Sequence, residues 1–178
     1  MMDKYEQTLE STYIYQGKIL SLRKDQVQLP NGKTSVREIV EHAGAVSIVP
    51  VTEEGNIILV KQYRKPVEQE TIEIPAGKLD QGERPEDCAQ RELREEIGFS
   101  GDLDLKFSYY TTPGFSDELL YLYVARNLKH APLACDDDEL IEKLEVSLEE
   151  AMHMITQGEI VDAKTIIGIL TLKQEGHL

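Results

Sequence analysis

Four residues in one short stretch carry the clearest chemistry of this sequence: Arg91, Glu92, Glu95 and Glu96. If the stretch is helical, Glu92 and Glu96 lie one turn apart and share a face. Two like charges at that spacing repel, at a cost of roughly 0.2–0.5 kcal/mol. They also stand near the carboxyl end of the helix, where the macrodipole disfavours carboxylates. Helix stability alone does not explain such a placement. A bound divalent cation does, because carboxylate oxygens are the ligands that hard Mg²⁺ prefers. Taken alone, Glu92 and Glu96 read as the solvated face of a surface helix. Their neighbours change that.

The element that must position these residues is a helix over 85–97. Pro85 suits its first position and Gly98 the residue just past its end, although Arg84 is a poor N-cap. Ala89, Leu93 and Ile97 form an apolar stripe at i, i+4, i+8. Before the helix, the nearly continuous apolar runs from Gly44 and over 56–64 predict buried strands, and Thr71 to Ala76 a short third one. Two more strands are expected near Leu103–Tyr110 and Glu118–Ala125. Residues 136–143 read as an acidic loop or frayed turn. Ser147 then starts a helix that Gly158 stops, and 162–174 form a final amphipathic helix. Further upstream, 11–30 read as extended, with Asn31-Gly32 a hairpin turn and 33–41 the returning strand. Strands and helices mix, which predicts an α/β or α+β sandwich.

The 178 residues suit one domain with a small extra sub-structure. A net charge of −14 argues against nucleic acid or an anionic membrane as the main partner. It leaves room for a small anionic substrate, since bound divalent metal inverts the local field. The two cysteines, Cys88 and Cys135, form no CxxC pair, so neither a zinc site nor a disulfide framework is indicated. No run of about 18 apolar residues predicts a membrane span. The segment MMDKYEQTLEST lacks the apolar core of a signal peptide, so a cytoplasmic, reducing location is expected.

Reading forward from Gly77, the fixed positions are Gly77, Glu83, Arg91-Glu92-Leu93, Glu95-Glu96 and Gly98-Phe99. This pattern, Gly-x5-Glu-x7-Arg-Glu-U-x-Glu-Glu-x-Gly-U with U a bulky apolar residue, resembles the signature of the Nudix hydrolase family at every fixed position. The resemblance implies a Nudix fold, a mixed β-sheet sandwiched between helices, with an N-terminal antiparallel β-hairpin or sheet. It implies an N-terminal β-segment over 1–43 and a Nudix domain over 44–178. It also implies metal, Mg²⁺ with Mn²⁺ as a substitute, on Glu92, Glu96 and Glu95 and on the main-chain carbonyl of Ala76. Arg91 would orient the glutamates and Glu83 would support them. Gly77 is expected to permit a tight turn into the loop. The implied reaction is hydrolysis of the diphosphate in a nucleoside diphosphate linked to another group.

The flanks resemble the ADP-ribose pyrophosphatase branch: Arg37-Glu38, Gly44-Ala45-Val46, Gln62-Tyr63-Arg64, Glu73 to Leu79, Pro113, and the tail Gly158-Glu159-Ile160 with Asp162-Ala163-Lys164-Thr165. That branch implies cleavage of ADP-ribose to AMP and ribose 5-phosphate. Substrate contacts would come from Arg37 and Arg64, whose guanidinium forks suit phosphate oxygens, and from Glu73 and Gly77. A late-loop glutamate would act as base. Spacing favours Glu139, with Asp137 and Glu142 as rivals. Other outcomes stay open: a pyrophosphatase for another nucleotide sugar such as GDP-mannose, or a non-catalytic nucleotide sensor, which the intact motif disfavours. Members of the branch are commonly homodimers, and the loose 1–43 segment suits that. Cys88 reads as a small helix residue rather than a nucleophile. The four histidines form no ligand spacing, and Tyr13 and Tyr15 read as packing in the front hairpin.

Overall fold

A computed structural model describes residues 4–134 and 140–176. Ten strands and three helices follow one another: β1 Gln7–Gln16, β2 Leu20–Gln28, β3 Thr34–His42, β4 Ala45–Pro50, β5 Ile57–Arg64, β6 Gln69–Glu73, β7 Ala76–Lys78, α1 Pro85–Glu92 continued by a π-helical turn Leu93–Ile97, β8 Phe99–Tyr110, β9 Leu119–His130, β10 Glu142–Val146, α2 Leu148–Gln157 and α3 Ala163–Gln174. The contacts divide the chain into two compact units. One holds the described residues up to Gly44 together with Tyr109–Leu120. The other holds Ala45–Ser108 and the described residues from Tyr121 on.

In the first unit, β1, β2 and β3 form an antiparallel sheet in that order. The turn between β2 and β3 falls at the expected Asn31-Gly32, with Gly32 at φ +81°, a conformation that costs glycine nothing. Every residue of β1 is exposed.

In the second unit, a sheet ordered β7-β4-β9-β8 carries the site, and a second sheet is ordered β10-β5-β6. All of β4 is buried, as its apolar run predicts. Successive side chains of a strand point to opposite faces, and the neighbours follow that rule. Val46 and Ile48 join one cluster with Cys88, Ala89, Leu93 and Ile97 of the α1 region. Val49 faces Gly168 of α3, where a Cβ would sit 2.8 Å from Val49 Cγ2. Helices thus cover both faces of β4, which is the expected α+β sandwich.

Four local expectations need correction. The helix over 85–97 is not uniform: its last turn is π-helical, closed by Gly98 at φ +81° with its N–H bonded to Leu93 O. The third strand is interrupted at Ile74-Pro75, because proline has no N–H for a ladder. The fourth and fifth strands run longer than expected. Residues 136–143 are not all loop: Glu142 opens β10, which pairs antiparallel with β5 from Glu142↔Lys61 to Val146↔Ile57. There tertiary pairing overrides a polar local sequence.

Candidate active site

The α1 region is held to the sheet by its apolar stripe: Cys88, Ala89, Leu93 and Ile97 are fully buried. Pro85 occupies the first turn, with Glu86 and Asp87 at its positive pole. Arg84 gives no capping bond. It forks onto Asp87 instead, at 2.7 and 2.8 Å. Packing therefore fixes where the glutamates of the next two turns must go, and they go toward β7.

Arg91 gathers the carboxylates. Its Nε donates to Glu83 Oε1 and its Nη2 to Glu83 Oε2, both at 3.0 Å. Its Nη1 donates to Glu92 Oε1 at 2.5 Å and to Glu95 Oε2 at 3.0 Å. Nη2 also reaches Lys78 O at 3.3 Å. The fork holds the Glu83 carboxyl down at about 2, against a smaller opposing push from burial. Pairing with Glu83 in turn raises the pKa of Arg91. One arginine thus offsets the repulsion that the sequence builds into this helix, by charge-assisted bonds whose geometry is fixed.

Glu92 and Glu96 do not stand out in solvent. They are 8% and 4% exposed, because both lie against β7. Glu96 Oε2 accepts from Ala76 N at 3.2 Å. Glu92 rests on Gly77: a Cβ built there would fall 1.9 Å from Glu92 Oε1 and Cδ. This corrects the expected reason for Gly77. It is absent from the positive-φ glycines, so close approach of a carboxylate requires it, not a turn.

The donor set fits a hard divalent cation. Two buried carboxylates, Glu92 and Glu96, meet the main chain at Ala76 and Gly77, with Glu95 beside them on Arg91; oxygen donors of this kind suit Mg²⁺ or Mn²⁺. Among the described residues no three acidic, histidine or cysteine side chains converge as a closed ligand group.

The remaining candidates fall elsewhere. Arg64 forks onto Glu73 at 2.8 and 2.7 Å. Thr71 Oγ1 donates to Glu73 Oε1 at 2.6 Å, and Lys164 Nζ donates to Glu73 Oε2. Burial works to raise the Glu73 carboxyl, but these cations and the hydroxyl outweigh it and hold it at about 2. Glu73 is therefore a buried ion-pair centre, not an outward strand residue. Arg64, Glu73, Lys164 and Val161 line a cleft of about 400 Å³. Lys164 is a partner that the sequence placed only in a similar tail; nothing local to 162–165 announces its bond to β6. Arg37, in the first unit, forks onto Glu6 at 2.8 and 2.6 Å. Among the candidate bases, Asp137 and Glu139 lie outside the described residues, and Glu142 is exposed at the start of β10. Cys88 is buried, and burial pushes its thiol well above the ordinary value, which suits a core residue and not a nucleophile. Cys135 and His177 lie outside the described residues.

A sandwich that presents an arginine-braced set of glutamates beside a glycine strand end defines a class of hydrolase, and comparison with known proteins agrees. Residues 41–167 match the NUDIX domain, and residues 6–40 match the nucleoside diphosphate sugar hydrolase N-terminal domain. The chain belongs to the Nudix family. It is 46% identical over 171 residues to an ADP-ribose pyrophosphatase of Bacillus subtilis (strain 168), covering 94% of this chain and 92% of that one. It is 44% identical over 176 residues to a methanol dehydrogenase activator of Bacillus methanolicus, covering 97% and 95%. A crystal structure of an ADP compounds hydrolase superposes with a TM-score of 0.87 at 23% identity, covering 100% of this chain and 99% of that one, which shows the fold.

Proposed function

We propose that this protein hydrolyses the diphosphate of ADP-ribose, using water, to AMP and ribose 5-phosphate, and that it does so with Mg²⁺ held by its glutamates. The observation that carries the reading is the Arg91 centre, which holds Glu83, Glu92 and Glu95 in one array with Glu92 seated on Gly77. The near full-length likeness to an ADP-ribose pyrophosphatase favours this substrate over GDP-mannose. The intact glutamates favour an enzyme over a sensor.

Glu92, Glu96, the Ala76 carbonyl and Glu95 would hold the cation. When bound, such a cation neutralises diphosphate oxygens and lowers the pKa of a water it polarises. Arg91 fixes the carboxylates before substrate arrives, so little reorganisation is left for the reaction. A carboxylate takes the proton of the attacking water. Glu139 is the candidate, with Glu142 and Asp137 as alternatives. Arg64, lining the 400 Å³ cleft beside Glu73, would bind the substrate's phosphate or ribose, as would Arg37. Gly77 would serve the site through Glu92, whose carboxylate it seats.

We also propose a homodimer through the first unit, and a cytoplasmic location. No helix of the described residues is long and apolar enough to cross a membrane.

The test is a panel of ADP-ribose, GDP-mannose and other nucleotide sugars with Mg²⁺, comparing wild type with Glu96→Gln. ADP-ribose should be cleaved fastest, and Glu96→Gln should lose about 10²-fold or more, the scale for removing a catalytic group. Cleavage of none of these compounds would overturn the enzyme reading. An unchanged rate in Glu96→Gln would remove Glu96 from the site.

A further inference from the structure

The carboxyl end of the glutamate helix poses two problems. The last carbonyls of any helix lack partners inside it, and here three carboxylates crowd the negative pole. Arg91 answers part of the charge. The carbonyls are answered by groups from two distant segments.

From β10, Lys143 Nζ donates to Ile97 O at 2.8 Å. From the segment after β9, Ala131 N donates to Gly98 O at 2.9 Å and Leu133 N to Arg94 O at 3.1 Å. Arg94 Nε returns a bond to Ala131 O at 2.9 Å. The closest atoms to a Cβ placed on Gly98 would be Lys143 Nζ at 3.5 Å and Pro132 Cβ at 3.7 Å. The helix end is thus gripped from two sides. The grip falls on the π-helical turn that carries Glu95 and Glu96. Such turns are rare and depend on their surroundings. Relaxation to α-helical bonding would rotate Glu96 about the helix axis, away from Ala76 N. A cation at the last carbonyls also lowers the cost of gathering carboxylates there.

We propose that Lys143 and Arg94 are positioning residues for the glutamate array: they clamp the π-helical turn so that Glu95 and Glu96 keep the arrangement that holds a divalent cation. This rests on the reading above that these carboxylates bind metal. Neither residue touches substrate; each acts through the helix end.

The experiment uses the full chain with Lys143→Met and Lys143→Arg. Mn²⁺ binding without substrate is followed by the loss of free-ion paramagnetic resonance signal. The kcat and KM for ADP-ribose and the metal-free thermal midpoint are measured alongside. Lys143→Met should weaken Mn²⁺ binding about 10-fold, the lower end of the scale for groups that orient ligands. Its kcat should fall and its KM should stay within about twofold, since the effect reaches the cation and not the substrate contacts. Lys143→Arg, which keeps a cationic donor, should restore most of the binding. If Lys143→Met does not fold, Arg94→Met is read against Arg94→Lys in its place. Mn²⁺ affinity in the methionine variant equal to wild type overturns the clamp, and so does a loss that the conservative variant shares in full. Wild type that binds no Mn²⁺ overturns the metal reading beneath it instead.

Discussion

A methyl group at position 77 has nowhere to go, since it would meet the Glu92 carboxylate at 1.9 Å. Gly77→Ala must displace either the strand end or the carboxylate, and the carboxylate is the softer of the two. The variant should fold and lose about 10²-fold or more in kcat/KM; steady-state kinetics within threefold of wild type would show that the contact is idle. Glu73 supports a second prediction. Its folded pKa of about 2 lies below the ordinary 4.5, so its stabilisation is fully present above pH 4.5 and is lost as pH falls through 2. At about 1.4 kcal/mol per unit this amounts to roughly 3 kcal/mol at most. Glu73→Gln should therefore have a lower urea midpoint at pH 7 and approach wild type as pH drops toward 3. Equal midpoints at pH 7 would contradict a stabilising role for the ion-pair centre.

The sequence makes some elements legible and leaves others hidden. The α1 region was readable because proline, the apolar stripe and Gly98 are all local signals, and the glutamates come with it. Its π-helical turn was not, since the groups that hold it, Lys143 and the 131–133 segment, are remote in sequence. Strand β10 was hidden for the same reason: Glu142-Lys143 is polar and finds its place only by pairing with β5. The burial of Glu92, Glu96 and Glu73 depends on neighbours across the fold, which periodicity does not encode. Thr165 shows this at element scale. Its backbone N–H is capped by Asp162 at 3.0 Å, a local signal. Its Oγ1 accepts from Ile74 N at 2.8 Å, between β6 and β7, which is not local. Thr165 is fully buried. Thr165→Val keeps the shape but strands the Ile74 N–H, so a loss of about 1–3 kcal/mol is expected by urea denaturation. A variant as stable as wild type would mean that this link contributes nothing.

At the scale of the whole molecule, the two units differ in how well they bury themselves. The second has a core of fully buried aliphatic side chains around β4, β5 and the helices. The first does not: across the three strands β1, β2 and β3, only Asp25 and Val27 are buried among the described residues. Small sheets without a buried face are marginal in water. This one leaves Leu9, Ile14, Tyr15, Ile19 and Val36 exposed, an apolar surface of the sort that marks an interaction site. A second copy of the chain is the proposed cover. Sedimentation velocity at micromolar concentration should give a dimer. Ile14 is 59% exposed near the carboxyl end of β1. Ile14→Glu should shift the protein toward monomer, because a charge buried at an apolar interface lacks a partner. The second unit has its own core, so the thermal transition that belongs to it should persist in this variant while the dimer is lost. Wild type that sediments as a stable monomer removes the dimer; a dimer unmoved by Ile14→Glu places the contact on a face that does not include this residue.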